Sequence, residues 1–224
     1  MISDAHTLNL YNQRLLLLPG KAIYWEKRES LLVADLHIGK STHFRKHGIA
    51  VPDEVAQSNL DKLDAILDRT SPKRLIILGD LFHSDINNEW QQFVKWRKSH
   101  PQLEVSLIIG NHDILNQQDY HAGRINVSQK MSVGPFQFVH DIEELNEQPS
   151  DDTYVLSGHI HPAVQLNGQG RQRMKLPCFY FGDDYGILPA FGGFTGTHVI
   201  EPKENDRVFM VVDSKIMPAH KLIS

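Results

Sequence analysis

Residues 75–80 read LIILGD and residues 103–113 read LEVSLIIGNHD. In each, an aliphatic run too short for a stable helix ends on a glycine and then on side chains that titrate or coordinate. These are Asp80 in the first and Asn111, His112 and Asp113 in the second. A short apolar run bounded by turn residues is the pattern of a buried strand. Three more stretches repeat it: Leu31 to Ala34 before Asp35-Leu36-His37, Phe136 to Val139 before His140-Asp141, and Tyr154 to Leu156 before Gly158-His159-Ile160-His161. In open α/β sheets ligands bind beyond the carboxyl ends of the strands, so five strands ending in His, Asp or Asn aim their polar groups at one place. The donors are oxygen and imidazole without a thiolate, a set that suits Mn, Fe or Zn. The pattern points to a dinuclear metal centre.

Outward from these blocks, the N-terminal quarter reads as strands over Thr7 to Tyr11, Arg14 to Leu18 and Ala22 to Trp25. Val51-Pro52-Asp53-Glu54 is a helix start, with proline early and acids in the first turn, and the helix is expected to run to about Arg69. A second helix is expected over Asn88 to Ser99, its Trp90, Phe93, Val94 and Trp96 read as a core stripe rather than a ligand stack. Strand, helix, strand at this spacing is the βαβ pattern of a partly parallel sheet. From Arg124 onward the segments read as strands alone: Ile125 to Val127, Lys130 to Val133, Phe136 to Val139, Tyr154 to Leu156, Ala163 to Leu166, Phe179 to Phe181, Thr197 to Ile200 and Val208 to Val212.

With 224 residues, 41% hydrophobic and 22% charged, and no long polar linker, the chain is expected to form a single domain spanning 1–224. Cys178 is the only cysteine, which excludes an intrachain disulfide, and its place in an apolar run reads as a buried structural thiol. The N-terminal MISDAHTLNLY lacks a basic start and an apolar core, and no apolar run reaches the length of about 20 residues that spans a bilayer, so a cytoplasmic location without membrane contact is expected. A net charge of −4 offers no general basic surface to long duplex DNA, though cations at an active site would outweigh that average.

The ordered set Asp-x-His, Gly-Asp, Gly-Asn-His-Asp, His and Gly-His-x-His resembles the signature of the calcineurin-like metallophosphoesterases. The flanking segments ADLHIGKSTHFRKHGIAVP (34–52), GDLFHS (79–84) and LPAFGGFTG (188–196) resemble one bacterial branch, the ligase-associated DNA damage response endonucleases of the PdeM type. The resemblance implies an α/β fold, a two-sheet α/β/β/α sandwich with mixed sheets and a β-rich C-terminal half. It implies two divalent ions, with Mn first and Fe or Zn as alternatives. Asp80 would bridge them, Asp35, His37 and His161 would complete one site, and Asn111, His140 and His159 the other. His112 would act as general acid, with Asp113 orienting its ring.

The reaction so implied is phosphodiester hydrolysis, with nucleic acid as substrate, in single-stranded or flexible form, during DNA repair. An ATP-dependent DNA ligase and a helicase are the associated partners that the branch implies. Enzymes of this kind often form homodimers, and no stretch identifies an interface. Lys40 and Arg45, in the basic loop after the first block, and His83, three residues after Asp80, are candidate substrate contacts. Three competing functions are a small-molecule phosphodiesterase, a lipid-linked nucleotide pyrophosphatase and a metal-free scaffold. The lipid reading needs an apolar lid that the sequence lacks, and the scaffold reading is at odds with the complete set of ligand types. His121, His198 and His220 match no block and are read as incidental.

Overall fold

The computed structural model describes residues 2, 4–38, 54–82, 88–145, 150, 152–168, 172–193 and 195–219, with backbone alone for 54–58, 88 and 89. Two sheets pack face to face. The first holds β1 (His6–Leu10), β2 (Gln13–Leu18), β3 (Ala22–Trp25), β4 (Ser30–Ala34), β5 (Arg74–Leu78), β6 (Glu104–Ile108) and β7 (Asn126–Ser128), in spatial order identical to chain order. The strands β1 to β4 pair antiparallel, and β4 to β7 pair parallel. Parallel neighbours need crossovers, and three helices supply them or lie beside them: α1 (Glu54–Thr70), α2 (Asn88–Ser99) and α3 (Gln117–Ala122).

The second sheet holds β8 (Met131–Val133), β9 (Phe136–Phe138), β10 (Tyr154–Ser157), β11 (Pro162–Asn167), β12 (Arg173–Phe181), β13 (Tyr185–Ile187), β14 (His198–Val199), β15 (Arg207–Val212) and β16 (Lys215–Pro218). Its order is β14-β11-β12-β13-β10-β9-β8, with β15 on β12 and β16 on β15. The chain therefore finishes one sheet before it begins the other. Among the described residues it crosses between them once, between Ser128 and Met131.

Side-chain alternation along the strands divides the core. Leu15, Leu17, Ile23, Leu32, Ile76 and Leu78 face Phe136, Phe138, Tyr154, Leu156, Phe179 and Phe181 between the sheets. Their neighbours Leu16, Leu31, Val33, Leu75 and Ile77 face outward onto Leu63, Leu67, Phe93 and Trp96 of the helices. Trp90, Phe93 and Trp96 are buried there, so the aromatic stripe of α2 is core, as its spacing indicates. Cys178 lies in a third cluster with Val164, Val208 and Met210, and burial pushes its thiol up to about 12, which keeps it protonated and inert.

The two-sheet α/β sandwich and its β-rich C-terminal half agree with expectation. Differences lie at element ends and in short pieces. β12 begins at Arg173 rather than Phe179, because its first residues are exposed and pair with β11 without an apolar run to mark them. α3, β13 and β16 are too short to carry a period of their own. The expected helix start at 51–53 lies outside the described residues. No described helix is long and apolar enough to cross a membrane.

Candidate metal centre

The parallel strands and their neighbours across the sandwich end at one edge. Asp35 and His37 follow β4, Asp80 follows β5, and Asn111 follows β6. From the second sheet His140 follows β9, and His159 and His161 follow β10. These residues gather into two groups, Asp35/His37/His161 and Asp80/His140/His159, the donor atoms of each lying within 4.8 Å of one another. Each group draws on both sheets.

The Asp80 carboxylate sits between the groups. Its Oδ2 is 3.8 Å from His37 Nε2 and its Oδ1 is 3.5 Å from His140 Nε2. Asn111 Oδ1 lies 3.0 Å from the same His140 nitrogen and His159 Nδ1 lies 3.1 Å from it. On the other side Asp35 Oδ1 is 3.5 Å from His161 Nε2. Asp35, His37, Asp80 and His140 are almost wholly buried, whereas Asn111 and His159 reach solvent.

The donor set fits a pair of divalent cations. His140 Nε2 is surrounded by a carboxylate oxygen, an amide oxygen and another imidazole nitrogen. Its Nδ1 is 3.3 Å from Leu78 O, an acceptor, which puts the ring proton there and leaves Nε2 with a lone pair. Electron-rich atoms crowded at 3.0 to 3.5 Å repel one another unless a cation lies among them, and bonds of about 2.0–2.2 Å to one ion give such spacings. Hard oxygens with imidazoles suit Mn, Fe or Zn.

The backbone is bent to deliver these groups. Asp35, His37, Asp80, His159 and His161 all have positive φ, from 47° to 68°, a region that costs a non-glycine residue energy. Glycines clear the space. A Cβ on Gly79 would stand 1.9 Å from His140 Nδ1, and one on Gly110 would stand 2.3 Å from Asp80 Oδ1. Amides then fix the carboxylates: His112 N–H donates to Asp80 Oδ1 at 3.1 Å, and His159 N–H donates to Asp35 Oδ2 at 3.1 Å.

His112 is half-buried at the mouth of the site, its ring centroid 5.7 Å from that of His37. Asp113 beside it is buried and accepts N–H bonds from Gly110 at 2.9 Å and Phe82 at 3.2 Å, so its carboxylate closes the turn that carries Asn111 and His112. Burial, the larger effect, pushes the Asp113 carboxyl up to about 7 against the pull of those two amides. Lys40, Arg45 and His83, the expected substrate contacts, lie outside the described residues.

Sequence reasoning missed the support behind the site. The segment 188–193 lies against the Asp35 turn: Phe191 N–H donates to Ala34 O and Gly192 N–H to Asp35 O. A Cβ on Gly192 would stand 2.5 Å from Leu36 O, so this glycine permits the contact. Asn59 of α1 is buried between the two segments, donating to Leu36 O at 3.2 Å and accepting from Gly193 N–H at 3.2 Å. Farther along, Gly196 O is 3.0 Å from His161 Nδ1. LPAFGGFTG stood out as a branch segment, but backbone atoms do this work and residue types do not announce it.

Comparison with known proteins agrees with this geometry. The family model described as calcineurin-like phosphoesterase matches residues 30–179, which contain every candidate ligand. A crystal structure of the Pseudomonas putida nuclease MPE is similar at 34% identity and a TM-score of 0.80, over 96% of this chain and 100% of that one. The E. coli phosphoesterase YfcE is 12% identical with a TM-score of 0.43, over 84% of this chain and 96% of that one. Among curated proteins none matches the chain.

Proposed function

Because this chain belongs to the calcineurin-like phosphoesterase family, we propose that it is a dinuclear-metal-dependent phosphodiesterase and endonuclease acting on single-stranded or flexible nucleic acid in DNA repair. The observation that carries the reading is the Asp80 carboxylate, one oxygen toward each of two ligand groups built from both sheets. Similarity to a nuclease over the full length of that protein supports the choice of substrate. Manganese is the assigned metal, and the cytoplasm, an associated ATP-dependent ligase and helicase, and a homodimer belong to the same reading.

In this mechanism Asp35, His37 and His161 would hold one ion, Asn111, His140 and His159 would hold the other, and Asp80 would serve both. When bound, such ions would lower the pKa of a water held at the site and offset charge on the phosphoryl oxygens. Burial of Asp35, His37, Asp80 and His140 keeps bulk water from their donor atoms, which strengthens electrostatic contacts within the site. Asn111 and His159 form the open side, through which the phosphodiester enters. His112, on that same rim, gives a proton to the leaving oxygen, and Asp113 orients its ring, acting through the turn that its carboxylate closes by accepting from Gly110 and Phe82 N–H. Lys40, Arg45 and His83 are assigned as substrate contacts.

The test is hydrolysis of an aryl phosphodiester, a single-stranded and a duplex DNA oligonucleotide by metal-stripped protein with Mn restored, beside Asp80→Ala. Manganese-dependent cleavage of the diester and the single strand, lost in the variant, is the expected result. Cleavage of the aryl diester alone would overturn the nuclease assignment and turn attention to small nucleotides.

A further inference from the structure

Three histidines of the centre present one ring nitrogen inward and the other outward, and the outward partners differ in kind. His140 turns Nδ1 to Leu78 O at 3.3 Å, and His161 turns Nδ1 to Gly196 O at 3.0 Å. Both acceptors are backbone carbonyls whose places the fold dictates. His159 has the opposite orientation. Its Nδ1 faces inward, 3.1 Å from His140 Nε2, and its Nε2 faces outward, 3.5 Å from Asp141 Oδ2.

We propose that Asp141 is the positioning residue of His159: its carboxylate holds the ring proton on Nε2 and so turns the Nδ1 lone pair toward the ion shared with Asp80 and His140. The inference rests on the metal-centre reading above. A metal-bound imidazole is oriented by whatever accepts its other N–H, and such partners contribute to ion affinity.

His159 needs this help more than the others do. Its side chain is 39% exposed, against 1% for His140 and 15% for His161, so packing against the His140 ring, with centroids 4.9 Å apart, holds it on one side only and water competes for Nε2. Asp141 is itself fixed, because its Oδ1 accepts the Glu143 N–H at 3.0 Å and caps the short 3₁₀ turn Ile142–Glu144. One oxygen anchors the carboxylate and the other meets the histidine. Asp141 thus extends the His140-Asp141 block to a ligand on a different strand.

Two substitutions separate this role from the cap. Asp141→Asn and Asp141→Ser both keep an oxygen able to accept from Glu143 N–H, and both lose the oxygen that faces Nε2. Equilibrium dialysis against limiting Mn, with bound metal counted per chain, is the first readout. One of two ions should bind about 10–100-fold more weakly in both variants while the other is retained. The melting temperature of the metal-stripped variants should match the parent. Long-range ¹H–¹⁵N spectra of the zinc-loaded parent should place the His159 proton on Nε2, and Asp141→Asn should change that signature. Two ions held by both variants as tightly as by the parent, or a parent proton on Nδ1, would overturn the proposal. A parent that binds no more metal than Asp80→Ala would overturn the metal-centre reading itself, an outcome distinct from either.

Discussion

Asp80 sits at φ 48°, a conformation that an L-residue with a Cβ enters at a cost of roughly 1–2 kcal/mol. Its carboxylate repays the residue's place through function, since it faces both ligand groups. Strain and donor can therefore be removed separately. Asp80→Gly should melt above Asp80→Ala by about 1 kcal/mol of stability in metal-free protein, with both inactive; equal stabilities by denaturant titration would contradict the strain. His112 yields a second prediction at this scale. As the group that protonates the leaving oxygen, its replacement by alanine should slow oligonucleotide cleavage by about 10²–10⁴-fold and barely slow an aryl diester whose leaving group needs no proton. Equal losses with both substrates, measured as kcat, would give His112 an electrostatic role instead.

Helix α1 acts on the centre without touching it. Asn59 ties the Asp35 turn to the 191–193 segment, and one turn later Lys62 donates to Phe191 O at 3.0 Å with its ammonium 3.8 Å from the Phe191 ring centroid. Burial, and then the charge of Lys21, pull Lys62 down to about 7. A base whose folded value lies below its unfolded one binds fewer protons when folded. Between about pH 7 and 10 the unfolded chain therefore holds the extra proton at this site, and the Lys62 contribution to stability rises with pH. Metal-stripped parent should gain roughly 1 kcal/mol per pH unit from about pH 7 to about 8.5, below the range where ionisation of the unfolded Cys178 thiol offsets the gain, and Lys62→Met should flatten that rise, as urea titrations over this window would show. Sequence patterns revealed much at this scale and missed some of it. Strands ending in Asp35, Asp80, Asn111 and His140 were legible because apolar runs and polar ends are properties of residue type. Asn59 and Gly196 were not, and Asp141 was visible as part of its block but its partner was not, since a buried amide on a helix, a backbone carbonyl and a carboxylate next to a ligand become meaningful only when distant segments meet. The same reason hid β13, which borrows its place from Val155 to Ser157 of β10 rather than from any period of its own.

At the scale of the molecule, each ligand group joins the ends of both sheets, so ions bound there couple the two halves of the sandwich. Anything that binds the folded state alone stabilises it by mass action, by about 2.7 kcal/mol for each site at a hundredfold excess over its dissociation constant. Manganese should raise the melting temperature of stripped parent and leave that of Asp80→Ala almost unmoved; equal shifts by calorimetry would mean that the ions bind elsewhere. The single passage between Ser128 and Met131 has a consequence of another kind. A chain cut there would yield one piece with Asp35, His37, Asp80 and Asn111 and another with His140, His159 and His161, neither holding a full complement for either ion. Made as separate polypeptides, the pieces would be silent apart and competent together, so that catalysis would report their reunion and the protein could serve as a two-part sensor of proximity.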